Sequence, residues 1–194
     1  MQYPVKISKA EVNELPLWHF EGEIITVETE AQLESALLAL NQCKVLGFDT
    51  ESKPSFRKGV YHPVSLIQLA MPDKVFLIRN LKSGFSDGLK ALFENPKIVK
   101  AGPALRDDIR DLQRLRPFSA KGFKDIADIA KANGIQQMGA RNLTAIFLGK
   151  RISKSQQTSN WEREPLSQAQ NFYAATDAYL GLKIYTLFQK LGWT

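Results

Sequence analysis

The chain has 194 residues, of which 44% are hydrophobic and 24% charged, a composition typical of a folded globular protein rather than a disordered one. No run of about 18 apolar residues occurs and the first residues lack a secretory-signal pattern, so we expect a cytoplasmic protein without a membrane segment. The formal charge of +6 and the pI of about 9.4 favour a polyanionic partner such as nucleic acid.

The cysteine and histidine content limits the metal chemistry that this chain can support. Cys43 is the only cysteine in the sequence, which excludes an internal disulfide and a zinc site built on cysteines. His19 and His62 are far apart, without the spacing of paired metal ligands. A bound metal would therefore be held mainly by oxygen atoms, which favours a hard divalent cation over zinc.

The first part of the chain predicts an arm followed by a strand-rich region. Residues 1–22 contain two prolines and no clear period, so we expect an N-terminal arm that packs on a domain of residues 23–194. Thr29 and Gln32 form a capping box, which predicts a helix through Leu40. The β-rich runs predict four strands, at 23–27, 44–51, 64–70 and 74–78. A turn with proline between the last two indicates a hairpin.

The second part of the chain alternates between helical and strand patterns. The predicted elements are a helix near 87–93, a strand at 97–101, and helices at 104–115, 125–132, 141–148 and 167–191. Hairpin-joined strands followed by alternating elements indicate a single α/β domain with a mixed sheet flanked by helices. No repeat, low-complexity tract or linker interrupts this pattern.

Asp49 and Glu51 end a hydrophobic run that predicts a buried strand. Side chains alternate along a strand, so two acids spaced by two residues point to the same face and can bind one ion. The alternative is that the strand ends before Asp49 and that both acids are solvated loop residues.

Asp108 interrupts the apolar side of a predicted helix. At about 100° per residue, it lies in the arc of Ile109 and Leu112, whereas Asp107 turns toward the polar side. A buried, unpaired carboxylate is costly, so Asp108 should be paired, hydrogen-bonded or bound to metal. A salt bridge to a nearby arginine is the alternative.

Asp177 interrupts the apolar stripe of the last predicted helix, and Tyr173 lies one turn before it. Residues four apart share a helix face, so the Tyr173 hydroxyl could reach the ligand of Asp177. A hydrogen bond from Tyr173 to Asp177 that only stabilises the helix is the alternative reading.

Taken together, these acids form a motif set that resembles a known family. The matching segments are Phe48-Asp49-Thr50-Glu51, then Lys100-Ala101-Gly102 followed by Asp108, then Tyr173-Ala174-Ala175-Thr176-Asp177, with Ser159-Asn160-Trp161 and Pro165-Leu166 before the third. From about Ile24 to its C-terminus, the chain resembles the DEDD superfamily of 3′–5′ exonucleases. The resemblance is to the tyrosine-bearing subgroup, which includes ribonuclease D and the Werner-helicase exonuclease domain.

The resemblance implies a ribonuclease-H-like fold and a two-metal site. Two Mg²⁺ or Mn²⁺ ions about 3.5–4 Å apart can stabilise the attacking and leaving oxygens of a phosphoryl displacement. In such enzymes Asp49, Glu51 and Asp177 would hold one ion, and Asp49 would bridge to a second near Asp108. Tyr173 would position the attacking water.

The implied substrate is the 3′ end of a nucleic acid, DNA or RNA. Basic residues beside the motifs are candidates for phosphate contacts, and we select Lys58 and Arg163, with Trp161 as a residue that stacks on a base. The chain ends about where the nuclease domain of the family would end. We therefore expect a helicase or another nucleic-acid-processing protein to supply additional grip.

Three functions are compatible with these observations. The first is a metal-dependent 3′–5′ exonuclease that releases nucleoside 5′-monophosphates. The second is a catalytically weak nucleic-acid-binding module on the same fold. The third is a phosphohydrolase that acts on small nucleotides.

Overall fold

The computed structural model describes residues 3–57 and 59–194, so the predicted phosphate contact Lys58 lies outside the described residues. In this part of the chain the strands are β1 (Glu23–Val27), β2 (Val45–Ser52), β3 (Val64–Ala70), β4 (Lys74–Ile78), β5 (Val99–Gly102) and β6 (Phe123–Asp125). They form one sheet in the order β1-β4-β3-β2-β5-β6. The strand that carries the first two acids, β2, is therefore central.

The sheet is mixed, as the sequence predicts. Strand β3 pairs antiparallel with both β2 and β4, and the pairs β1–β4, β2–β5 and β5–β6 are parallel. The β3–β4 hairpin is confirmed, because consecutive strands joined by a short turn must run antiparallel. The later parallel strands follow helical crossovers, which confirms the change from hairpin to alternating helix and strand.

Helices cover both faces of the sheet. In the described residues they are α1 (Lys9–Glu14), α2 (Glu30–Leu40), α3 (Asn80–Ser83), α4 (Asp87–Glu94), α5 (Arg106–Leu115), α6 (Ile126–Ala132), α7 (Ala140–Leu148) and α8 (Gln168–Leu191). The Thr29–Gln32 capping box begins α2 as predicted. None of these helices is both long and apolar enough to span a membrane.

Three elements were not predicted. Helix α1 lies inside the N-terminal arm, where a capping box between Ser8 and Glu11 was the available signal. Strand β6 has three residues and helix α3 has four, lengths at which periodicity carries little information. Each of these short elements is stabilised by pairing or packing with the rest of the domain.

Alternation along β3 divides the core into layers. Ile67 and Leu69 pack in the cluster that contains α2 and α4, whereas Leu66 and Ala70 pack in the cluster beneath α8. All four side chains are buried, so β3 has no solvent-exposed face. This explains why its sequence is almost continuously apolar.

The N-terminal arm packs on α8 and on the segment after α7. The backbone N–H of Phe20 donates to the Thr176 hydroxyl at 3.0 Å, and the Trp18 ring lies 5.9 Å from that of Tyr179. The backbone N–H of Trp18 also donates to the backbone carbonyl of Arg151 at 2.8 Å. The arm therefore contacts the helix that carries the third acidic motif.

Helix α8 approaches the sheet so closely that glycine is required at the contact. A Cβ added to Gly47 in β2 would overlap the main-chain carbonyl of Ala178, and one added to Gly181 would overlap that of Ala101. The Ala178 carbonyl follows Asp177 directly in the chain. The main chains of β2 and α8 therefore set how far Asp177 lies from Asp49.

Substituting Gly47 by alanine should destabilise the protein, because α8 must move away from the sheet. We expect the free energy of unfolding to fall by about 1–3 kcal/mol, the usual cost of an overpacked core. Urea denaturation followed by circular dichroism measures this change. Gly139→Ala is the control, since its added Cβ has no neighbour within 4 Å. A Gly47→Ala variant as stable as Gly139→Ala would contradict the close contact.

Candidate active site

Strand β2 presents Asp49 and Glu51 on its α8-facing side. The strand continues through Ser52, and Asp49 and Glu51 are paired with Gln68 and Leu66 of β3. Both acids therefore lie within the sheet ladder, which excludes the alternative of a solvated loop. Their common face follows from strand alternation, as predicted.

Helix α8 brings Asp177 to the same place. One carboxylate oxygen from each of Asp49, Glu51 and Asp177 can be chosen so that all three lie within 4.8 Å of one another. Tyr173 lies one turn earlier in α8, and its side chain lines the same cavity as Asp177. Residues that are more than 120 positions apart in the sequence thus meet at one end of the central strand.

Asp108 lies beside this group but outside the set of mutually close oxygens. It is half-buried near the start of α5, and its carboxylate accepts a hydrogen bond from the Thr50 hydroxyl. Asp107 is 71% exposed and forms the salt bridge, to Arg110 at 2.8 Å. The helical phase therefore separates the two acids as predicted, and Asp108 is paired with a hydroxyl rather than with arginine.

Burial raises the pKa of every acid in the group, and repulsion from the other acids of the group adds to the shift for Asp49 and Glu51. Burial, followed by the charges of Asp108 and Asp177, raises the pKa of Asp49 well above its usual range. The same causes raise the pKa of Glu51 to about 9. Burial raises the pKa of Asp177 to about 7, although the Tyr173 hydroxyl and the charge of Lys154 oppose the shift.

The pKa of Asp108 is raised less, to about 6, because the Thr50 hydrogen bond opposes the effect of burial. The pKa of Tyr173 is also raised, first by burial and then by the charge of Asp177. Tyr173 therefore carries its proton at neutral pH and acts as a hydrogen-bond donor. Within the described residues, Lys154 is the one cation that lowers the pKa of an acid in this group.

The donor set fits a hard divalent cation. Carboxylate oxygens are the ligands that Mg²⁺ and Mn²⁺ prefer, and three of them converge here. A bound cation would lower the pKa of each carboxylate by direct attraction and remove the repulsion. The acidic cluster is therefore compatible with metal binding, as the sequence predicts.

Two neighbouring cavities share the Tyr173 and Asp177 side chains. The larger, of about 450 Å³, is lined by Asp49, Glu51 and Asp177 and also by the loop after α7. Residues of that loop and of the start of α7 that line it are Gly139, Ala140, Ile152, Ser153, Lys154 and Gln157. A smaller cavity of about 180 Å³ is lined by Trp18, His19 and Phe172. Lys154 is the exposed cation that lines the acidic cavity.

The predicted substrate contacts differ in their accessibility. Trp161 is 0% exposed and packs 5.9 Å from the Tyr173 ring, so it is not available to stack on a base, contrary to the prediction. Arg163 is exposed, and its main-chain carbonyl accepts a hydrogen bond from Arg79 at 2.9 Å. Among the large apolar side chains described, Phe56 is the most exposed at 85%, on the loop after β2.

Two polar side chains beside the acids were not singled out from the sequence. The Thr50 hydroxyl donates a hydrogen bond to Asp108. Thr50 lies between Asp49 and Glu51 in β2, so its side chain points to the opposite face of the strand, and this position could have been recognised in the sequence. Gln68 lies opposite Asp49 in β3 and is fully buried. A buried glutamine in an apolar strand was visible in the sequence, but its position opposite Asp49 depends on strand register.

A mixed sheet whose central strand and last helix bring carboxylates together defines the class of ribonuclease-H-like nuclease domains. A family model described as a 3′–5′ exonuclease matches residues 24–193. The chain therefore belongs to the 3′–5′ exonuclease family. The resemblance predicted from the motifs is confirmed.

Individual relatives agree with this assignment. The bifunctional 3′–5′ exonuclease/ATP-dependent helicase WRN of Mus musculus is 35% identical over 188 residues, which cover 92% of this chain and 13% of that protein. The Aedes aegypti Nibbler EXO domain superposes with a TM-score of 0.80 at 27% identity, covering 89% of this chain and 91% of that structure. Escherichia coli RNase D shares the fold, with a TM-score of 0.77 at 24% identity over 90% of this chain and 47% of that structure.

Proposed function

We propose that this chain is a metal-dependent exonuclease that hydrolyses phosphodiester bonds at nucleic-acid 3′ ends by a two-metal mechanism. The products would be nucleoside 5′-monophosphates. The observation that carries the proposal is the convergence of Asp49, Glu51 and Asp177, with Asp108 and Tyr173 beside them. Single strands and recessed 3′ ends, of DNA or RNA, are the proposed substrates.

The acids would hold the cations and so bring the phosphodiester to the site. Asp49, Glu51 and Asp177 would bind one ion, and Asp49 would also contribute to a second on the side of Asp108. Bound divalent cations would lower the pKa of an attacking water and stabilise the charge on the leaving 3′-oxygen. Without cations the negative charge of the acids would repel a phosphodiester.

Tyr173 and Thr50 would set the orientation of groups at the site. The Tyr173 hydroxyl faces the same cavity as Asp177, and its raised pKa means that it keeps its proton, so it can hold an attacking water by a hydrogen bond. The Thr50 hydroxyl orients Asp108. Lys154 lies on the loop after α7 that lines the acidic cavity. It would contact a phosphate of the bound strand.

The substrate-binding roles of Lys58 and Arg163 stay proposals. Arg163 is exposed, and within the described part of the chain its side chain forms no salt bridge that a phosphate contact would break. Phe56 is the new candidate for stacking on a base, in place of Trp161. Its ring is exposed on the loop after β2. The lone Cys43 supports a reducing compartment, so the cytoplasm stays the proposed location.

The partner also stays a proposal. The mouse relative combines, according to its name, an exonuclease with an ATP-dependent helicase. This supports a helicase or another nucleic-acid-processing protein as the partner of this chain. The net charge of +6 would attract this chain to nucleic acid, either the substrate itself or nucleic acid bound by the partner, and this attraction would depend on salt.

The activity is tested by incubating 5′-labelled and 3′-labelled oligonucleotides with Mg²⁺, with Mn²⁺ or with EDTA. We expect a stepwise ladder from the 5′ label, immediate release of a labelled mononucleotide from the 3′ label, and neither in EDTA. Comparing DNA, RNA, duplex and 3′-overhang substrates identifies the preferred strand. Binding without shortening would instead indicate a nucleic-acid-binding module, and turnover of free nucleotides would indicate a small-molecule phosphohydrolase.

A further inference from the structure

Gln68 is a buried amide whose position relates it to the first acid of the site. It lies directly opposite Asp49 in the antiparallel β2–β3 ladder. Side chains of directly opposite residues emerge on the same face of a sheet, with Cβ atoms about 4.5–5.5 Å apart. The Gln68 amide and the Asp49 carboxylate are therefore neighbours on the α8-facing side.

The Gln68 amide has no partner in the described part of the protein. The residue is 0% exposed, and neither Oε1 nor Nε2 makes a hydrogen bond there. Its neighbours along the same face of β3, Leu66 and Ala70, belong to an apolar cluster beneath α8. Burying an unpartnered amide costs about 1–3 kcal/mol, whereas an apolar side chain of the same size would avoid that cost.

Trp161 adds a second orphaned group to the same cluster. Its indole N–H is buried without an acceptor among the residues that the structure describes, and its ring belongs to the apolar cluster that also contains Leu66 and Ala70, the residues that flank Gln68 on its face. An indole N–H can only donate, whereas a glutamine amide both donates and accepts. If Gln68 Oε1 takes the indole proton, its Nε2 is left to donate on the other side, which is the side that carries the acids.

We propose that Gln68 is a positioning residue for Asp49: its amide, which has no partner among the described residues of the metal-free structure, donates to the Asp49 carboxylate when Asp49 binds cations and limits its rotation there. This inference rests on the proposed function, because Asp49 must serve as a metal ligand. Asp49 is the acid with the most demanding role, since it would face two ions at once. The hydrogen bond that the amide gains in the metal-bound state would favour cation binding and keep both Asp49 oxygens directed at the ions.

The role of Gln68 differs from that of a residue that only packs the core. Partners that orient a metal ligand usually contribute about 10- to 100-fold to metal affinity or activity. Removing them need not affect the fold, because an apolar replacement of similar shape relieves an unsatisfied amide. An apolar replacement of Gln68 should therefore lower the metal affinity and leave the metal-free stability unchanged or raise it.

The experiment compares Gln68→Leu and Gln68→Met with Ser65→Ala. Ser65 is a buried polar residue of the same strand, at the irregularity in the β2–β3 register, and its hydroxyl donates to the Pro63 carbonyl at 3.3 Å. Three quantities are measured for the full chain: Mn²⁺ affinity by calorimetry, kcat and KM on one oligonucleotide, and urea stability without metal. Two apolar replacements are used so that one poorly folded variant does not decide the result.

For the Gln68 variants we expect Mn²⁺ affinity and kcat to fall about 10- to 100-fold, with KM unchanged and metal-free stability equal to or above wild type. Ser65→Ala should keep Mn²⁺ affinity and kcat within about twofold. Loss of stability with unchanged Mn²⁺ affinity would show that Gln68 is structural and would overturn the proposal. A wild-type chain that neither binds Mn²⁺ nor shortens oligonucleotides would overturn the proposed function itself, whereas an active wild type with equally active Gln68 variants overturns only this inference.

Discussion

Replacing Asp49 by asparagine is expected to abolish nuclease activity and, at the same time, to stabilise the metal-free protein. Asn keeps the shape of the side chain but cannot supply the charge that holds a cation, so kcat should fall by about 10³-fold or more, equivalent to about 4 kcal/mol in the barrier. Stability should rise because Asp49 is buried beside three other acids, which raise its pKa well above the usual range. A neutral amide avoids both the burial of charge and the repulsion.

This expectation is checked by measuring strand shortening with Mn²⁺ together with thermal unfolding in EDTA at neutral pH. Asp107→Asn is the matched control, because Asp107 is exposed and paired with Arg110 on the outer side of α5. It should retain wild-type activity and change stability little. An Asp49→Asn variant that unfolds at a lower temperature than wild type in EDTA would show that Asp49 is stabilising, and full activity would remove it from the site.

The metal-free protein is expected to become less stable as the pH rises from about 4 to about 9. The acids ionise at ordinary pKa values in the unfolded chain, whereas burial raises the pKa of Asp108 to about 6, of Asp177 to about 7 and of Glu51 to about 9 in the folded protein. Within this range the folded state binds more protons than the unfolded state. The free energy of unfolding therefore falls with rising pH, and the decline ends above the highest folded pKa.

Divalent metal should reverse this decline. At a free Mn²⁺ concentration of 100 times its Kd, binding to the folded state adds about 2.7 kcal/mol, which corresponds to roughly 5–10 °C in Tm for a chain of this size. Thermal unfolding from pH 5 to pH 9, with Mn²⁺ or with EDTA, measures both effects. Metal should raise the Tm more at pH 8 than at pH 5, because protons compete with cations for the carboxylates. A Tm in EDTA that increases across this range would contradict the raised pKa values.

The acids of the site were predictable because each interrupts a pattern that has its own physical cause. Asp49 and Glu51 extend an apolar strand, and Asp108 and Asp177 fall on helix faces that are otherwise apolar, so each is anomalous against a period of two or 3.6 residues. The same periods gave the strands at 64–70 and 74–78 with the bounds that the structure has. Long, regular elements are predictable because many residues contribute to one signal.

Properties that depend on tertiary contacts were not predictable. The burial of Trp161 results from α8 and β3 packing around a loop that has no period of its own. The position of Gln68 opposite Asp49 depends on the register between two strands, which a single sequence does not specify. Strand β6 forms by pairing with the edge of β5, and its three residues show no periodic pattern of their own.

The contact between Gly47 and the Ala178 carbonyl has a consequence for how such a site can diverge. Because main chain touches main chain there, the spacing between the acids on β2 and α8 is independent of the size of the surrounding side chains. Neighbouring core residues can therefore be exchanged over many generations without moving Asp177 relative to Asp49. Sequence drift in the core and retention of the chemistry are compatible as long as these two backbone segments stay in contact.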